Sequence, residues 1–221
     1  MRKILFIEDR ATRQEQFSKQ TQTDLNSYSD ILDNMINEKY DNIILKLKEN
    51  TFDFEEYEVI ICHKSAFKDD NTTILKNIER YCKDNHKVFT LFSGGIDGNY
   101  YLEEDNYIFM ELNSKLLYSQ NIELFLEDFR GGNINPLILS YGAKWKINIL
   151  LNILEKINLI LESEQRESIL YKKFKSNSDM ELIEKLDINI YEVSLDGRKI
   201  SKDEMRKLKD SILESIKKMS I

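Results

Sequence analysis

Over the first 131 residues, short apolar runs alternate with segments whose apolar residues recur at helical spacing. Residues 3–8 open on Lys3-Ile4-Leu5-Phe6-Ile7 and run into Glu8 and Asp9 with no turn residue between. A near-continuous apolar run of that length predicts a parallel strand buried on both faces. Residues 10–20 are polar around Phe17 and predict a lightly packed helix; residues 28–32 predict a short second strand. Residues 34–50 carry Met35, Ile36, Tyr40, Ile43, Ile44 and Leu47 near a period of 3.6, the spacing of an amphipathic helix. Residues 57–62 form the clearest strand and end on Cys62 and His63. A helix follows over 71–84, with Ile74, Leu75, Ile78 and Cys82 on one stripe. The strand over 87–92 is closed by Ser93-Gly94-Gly95, and residues 106–112 form the fifth strand. Between 94 and 105 there is little helical pattern, so the helix due before that strand is short or missing. Residues 114–129 predict a helix through Leu117, Ile122, Leu124, Phe125 and Phe129, stopped by Gly131-Gly132. The alternation is that of an α/β sheet covered on both faces.

After Pro136 the alternation stops. Residues 137–162 predict one strongly apolar helix with Trp145, Ile149, Ile153, Leu154, Ile157 and Ile160 on a face that Leu150, Leu151, Leu159 and Leu161 widen. Such a helix is buried on several sides, against the sheet or in a homodimer seam. Shorter helices are expected over 166–174 and 180–186, and a β-hairpin near 188–200 around Asp196-Gly197. A capping box at Ser201–Glu204 opens a last amphipathic helix through Met205, Leu208, Ile212, Ile216 and Met219. The expected organisation is an α/β domain over 1–131 and a mainly helical region over 132–221.

Composition narrows the class. The 221 residues are 41% hydrophobic and 32% charged, with one proline and seven glycines, and no apolar run reaches the length of a membrane span. The apolar run after Arg2 and Lys3 stops at Glu8, too short for a signal peptide. Two cysteines outside any CxxC argue against a disulfide framework and for a cytoplasmic protein. The net charge is −7; residues 171–221 carry +2, which leaves −9 on the body. An acidic body argues against binding to nucleic-acid backbone.

Five strands with interleaved helices, opening on Glu8-Asp9, resemble the receiver domain of response regulators. The resemblance covers residues 1–131 and implies a doubly wound, five-stranded parallel sheet in the order 2-1-3-4-5. In that family, acids after the first strand hold magnesium, and Glu8 and Asp9 match them. An aspartate after the third strand accepts the phosphoryl group; His63 stands there. A serine or threonine ends the fourth strand, matched by Ser93. A lysine ends the fifth; here the strand closes on Glu111-Leu112-Asn113, and Lys115 comes two residues late. Without the aspartate no mixed anhydride forms, and two acids alone hold Mg2+ poorly. The resemblance therefore implies a pseudo-receiver, with no catalytic residue, no resident metal and no cofactor.

The candidate strand-end cluster is Glu8, Asp9, His63, Ser93 and Lys115. Asp9 is expected to cap the first helix, and His63 to make a structural contact with Asp9. Cys62 is expected to pack as a small hydrophobe, facing away from His63 because successive strand residues alternate. Ser93-Gly94-Gly95 is expected to form a tight turn. Tyr100, Tyr101 and Tyr107, among acids, are the candidate partner-binding face. The leading expectation is a non-catalytic regulatory or scaffold protein that docks a protein partner, with the C-terminal helices dimerising or delivering output. The alternatives are an enzyme using Asp9, His63, Lys64 and Ser93, or a nucleotide or phosphate sensor with Gly94-Gly95 near the anion.

Overall fold

A computed structural model describes residues 2–68, 71–162, 182, 183, 185, 186 and 202–219. The chain forms two compact units, Met1–Ala143 and Lys144–Ile221. The first runs past Gly131-Gly132, because the apolar side chains after Pro136 still belong to it.

In the first unit, β1 (Lys3–Ile7), β2 (Leu32–Met35), β3 (Tyr57–His63), β4 (Val88–Ser93), β5 (Tyr100–Glu104) and β6 (Tyr107–Asn113) form one sheet. Its order is β2-β1-β3-β4-β6-β5. All pairs are parallel except β5 with β6, which is antiparallel. The expected five-stranded all-parallel sheet is thus corrected to six strands. Its five parallel strands keep the predicted neighbours, and β5 fills the stretch where a helix was missing. Asp105 and Asn106 turn the hairpin in the left-handed region, at φ 48 and 68, a conformation Asp and Asn tolerate. The predicted second strand lies a few residues late: 25–28 is a 3-10 turn, capped by Asp24 accepting from Asn26 N at 2.9 Å.

Strand alternation divides the core between two faces. On one, Leu5, Ile7, Ile60, Cys62, Phe89, Leu91 and Tyr107 pack with Ile43 and Leu47 of α2 (Asn37–Lys48) and Ile74, Ile78 and Cys82 of α3 (Asn71–Asp84). On the other, Phe6 stacks on Phe92 at 5.6 Å, and both meet Tyr118, which also touches Phe17 of α1 (Ala11–Thr21) at 5.6 Å.

The helix expected over 114–129 is two helices, α4 (Ser114–Leu117) and α5 (Gln120–Arg130). Tyr118 breaks it at φ −82, ψ 55, and Ser119 caps α5 by accepting from Asn121 N at 3.2 Å. The helix expected over 137–162 is also two, α6 (Leu137–Tyr141) and α7 (Trp145–Glu162). Gly142 parts them at φ +72, where a Cβ would lie 3.0 Å from Asn121 Oδ1. Asn121 Nδ2 donates to Leu139 O at 3.2 Å, tying α6 to α5.

The second unit pairs α7 with α8 (Lys202–Met219). Ile149, Leu150, Ile153, Ile157 and Ile160 of α7 and Met205, Leu208 and Ile212 of α8 are buried. Leu182, Ile183 and Leu186 are buried as well. The helix expected over 166–174, the hairpin near 188–200 and Ser201 lie outside the described residues. Among those described, no helix is long and apolar enough to cross a membrane.

Candidate functional site

Three parallel strands bring their carboxyl ends together at one edge of the sheet, with β1 between β2 and β3. Period-two alternation continues past the end of β1, so Glu8 falls on the same face as Phe6. His63 ends β3 on that face too, its ring edge-on to Phe92 at 5.2 Å. Glu8 is fully buried and His63 is 2% exposed.

Glu8 is held by three donors. Arg10 N and the Arg13 guanidinium each reach Oε1 at 3.0 Å, and the Tyr118 hydroxyl donates to Oε2 at 2.8 Å. Burial is the main cause that raises the Glu8 carboxyl to about 7, with Asp9 adding to it and Tyr118 and Arg13 opposing. Asp9 Oδ1 lies 2.9 Å from His63 Nδ1 and 3.7 Å from Arg13. Asp9 Oδ1 is buried, and its neighbours among the described residues are these two charged or polar groups. Ser65 Oγ lies 3.3 Å from the same imidazole nitrogen. Burial first, then Arg13, holds His63 below its ordinary value, against the pull of Asp9. The imidazole is therefore neutral at physiological pH.

The predicted cluster is partly assembled. Glu8, Asp9 and His63 each bring a ligand atom within 4.8 Å of the others. Asp9 does not cap α1: Arg10 holds that position, and its guanidinium has no acceptor to offer the first-turn N–H groups; its own N–H goes to Glu8. Ser93 instead turns the chain, accepting at its carbonyl from Ile96 N and at its hydroxyl from Gly95 N, each at 3.4 Å. The Ser93-Gly94-Gly95 stretch is the tight turn expected. Lys115 is on the exposed first turn of α4; no hydrogen bond or ion pair joins it to Glu8, Asp9 or His63. Lys64 pairs with Glu111 at 3.1 Å. Cys62 faces the opposite core, where burial pushes its thiol well above the ordinary value. His86 is exposed, its Nδ1 2.6 Å from Asp105 O.

The exposed tyrosine face is not formed. Tyr101 and Tyr107 are each 2% exposed, because alternation in the β5–β6 hairpin turns them into the core. Tyr100 alone is half-buried, against Phe109.

Sequence reasoning missed Arg13, Tyr118 and Asn113. Arg13 stands four residues after Asp9, a helical pairing spacing that could have revealed it. Tyr118 carried no signal, since it sits inside an apolar helical pattern. Asn113 occupies the strand end where a lysine was sought. Its amide donates to Gly94 O at 3.3 Å and Ile96 O at 2.9 Å, and its oxygen accepts from Lys115 N at 2.9 Å. It pins the 93–96 turn and caps α4 together.

No family model, no curated protein and no solved structure matches the chain.

Proposed function

We propose that Met1–Ala143 is a degenerate receiver-like module in a regulatory or scaffold protein. It docks a protein partner and carries no phosphoryl group, while the α7–α8 unit dimerises or delivers output. The observation that carries this reading is His63, a neutral buried imidazole beside Asp9 at the end of β3. A receiver-like frame needs a carboxylate nucleophile there. Imidazole cannot form the aspartyl mixed anhydride, and its depressed basicity suits a packed polar contact.

Mg2+ does not fit the residues present. It takes a near-octahedral shell of oxygens, and here a nitrogen replaces one carboxylate while Arg13 covers Glu8. The strand neighbours β2-β1-β3-β4-β6 support the frame. Closure around Glu8 and His63 speaks against a substrate site, since neither side chain is open to a reactant.

The test is incubation with acetyl phosphate and Mg2+ followed by intact-mass measurement. The mass is expected to stay unchanged; an aspartyl-phosphate adduct overturns the reading. Light scattering on the full chain reports whether the second unit dimerises.

A further inference from the structure

We propose that a cavity between α2 and α3, at the amino-terminal end of the sheet, binds a small organic cation of the quaternary ammonium type. It lies at the other end of the sheet from His63, and the inference does not depend on the receiver-like reading.

Three aromatic rings line the cavity. Phe52 and Phe54 come from the loop between α2 and β3, and Tyr81 from the last turn of α3. All three are half-buried. Ring centres stand 4.7 Å apart for Phe52 and Phe54 and 5.0 Å apart for Phe54 and Tyr81. The buried side chains of Leu47, Ile74 and Ile78 complete an apolar lining. The volume is about 250 Å3, below the roughly 300 Å3 at which pockets for drug-sized ligands begin. The cavity therefore takes a headgroup and not a nucleotide.

The charge around it favours a cation. Asp53 lines the cavity between the two phenylalanines in sequence. Burial first, then Asp53, raises the Tyr81 phenol, and Glu55 adds to it, so both acids act on that ring. Leu47 and Asn50, at the carboxyl end of α2, also line the cavity, which puts the negative end of the helix dipole there. An anion is repelled by this arrangement. A small inorganic cation keeps its water in preference to apolar walls. An ammonium carrying methyl groups loses little hydration and meets the negative faces of the rings.

The loop is held in place before any ligand arrives. Lys87 donates to Phe54 O and Glu55 O at 2.9 Å, Tyr57 N donates to Phe54 O at 3.0 Å, and Glu55 N donates to Asp53 Oδ1 at 2.8 Å. A prearranged loop lowers the ordering cost of binding. Lys87 Nζ already lies 5.4 Å from the centre of the Tyr81 ring. The carbonyl dipoles of Phe54, Glu55 and Tyr57 turn toward that ammonium and offset its charge at the cavity.

The experiment uses the full chain at constant ionic strength. The probe is choline, and the control is its neutral isostere, in which a tert-butyl group replaces the trimethylammonium. Proton NMR follows the ligand methyl resonance, which aromatic ring currents move upfield on binding. Choline is expected to give a saturable upfield shift, with the neutral isostere bound at least about fivefold more weakly. Phe54→Leu is expected to weaken choline binding about tenfold. Asp53→Asn, which keeps the oxygen that accepts from Glu55 N, is expected to weaken it about threefold. Circular dichroism is expected to be unchanged in both. If Phe54→Leu does not fold, Asp53→Asn alone decides. No saturable shift with choline overturns the proposal. So does equal affinity for the neutral isostere, which makes the cavity merely apolar. Parental affinity in the folded variants overturns it too, since the ligand is then elsewhere. None of these outcomes bears on the acetyl phosphate result, and an aspartyl adduct would leave choline binding standing.

Discussion

The Tyr118 hydroxyl donates to Glu8 Oε2 at 2.8 Å, joining the end of α4 to the end of β1 across 110 residues of sequence. The bond explains why the helix predicted over 114–129 is broken. A helical Tyr118 would continue α4; the ψ of 55 at this residue turns the ring under Phe6 and Phe92 instead. Tyr118→Phe keeps the ring contacts and removes the donor, which leaves a buried carboxylate oxygen unpaired. The expected loss is about 1–3 kcal/mol, read from urea denaturation. It should be larger at pH 8, where Glu8 is ionised, than at pH 5. Equal stability at both pH values would show that the hydroxyl does not serve the carboxylate.

Glu8 and His63 pull the pH dependence of stability in opposite directions. The folded Glu8 carboxyl titrates at about 7, above its ordinary 4.5. Between those values the folded state keeps a proton that the unfolded chain has lost, so stability falls as pH rises through the window. At 1.36 kcal/mol per unit, the cost above pH 7 is at most about 3.4 kcal/mol. His63 is depressed below 6.5. The folded state resists taking a proton there, so stability falls as pH drops below 6.5 toward the folded value. Glu8→Gln removes the first term alone. Measured in EDTA from pH 5 to 8, the variant should gain on the parent as pH rises and show only the His63 slope below 6.5. Parallel curves for parent and variant would mean Glu8 is not titrating in this range.

Lys87 sits at the opposite end of the sheet from the site, almost fully buried, with its ammonium donating to Phe54 O and Glu55 O at 2.9 Å and to Tyr57 O at 2.6 Å. It ties the loop before β3 to the start of β4. Lys87→Met keeps the aliphatic stem and strands three carbonyls. A loss of about 2 kcal/mol or more is expected, visible as a lowered melting temperature. Unchanged stability would show that those carbonyls find water at no cost.

How much of this was legible in the sequence differs by element. β1, β3 and α3 could be read because their apolar patterns are dense: four residues of β1 and six of β3 are fully buried or nearly so, and α3 spans Asn71–Asp84 as the stripe predicts. β5 could not. Tyr101 is its one buried residue, and its neighbours Glu103 and Glu104 are exposed, so the strand rests on its hairpin with β6, a pairing no local period announces. The breaks at Tyr118 and Gly142 were hidden for a related reason: each is set by a contact made elsewhere, with Glu8 and with Asn121. The candidate site follows the same rule. Glu8, Asp9 and His63 stand at strand ends, where topology alone collects them. Arg13 and Tyr118, which complete the shell around Glu8, arrive from α1 and from the end of α4, and only the folded chain brings them in.

The second unit offers a test of burial within a single helix. On α7, Ile157 is fully buried while Leu159, two residues on, is 53% exposed. Two residues apart on an α-helix point about 200° apart, so one faces inward while the other faces solvent. Ile157→Asp puts a carboxylate at a fully buried apolar position and removes packed methyl groups as well. Such a change costs about 3–5 kcal/mol, enough to lower the helical signal of the full chain. Leu159→Asp changes the same helix by similar chemistry on its outer side and should stay within about 0.5 kcal/mol of the parent. Circular dichroism during urea denaturation measures both. If the two variants lose equal stability, Leu159 is covered in solution by something other than α8, and light scattering on the parent would then show a second copy; if neither does, α7 and α8 do not pack as described.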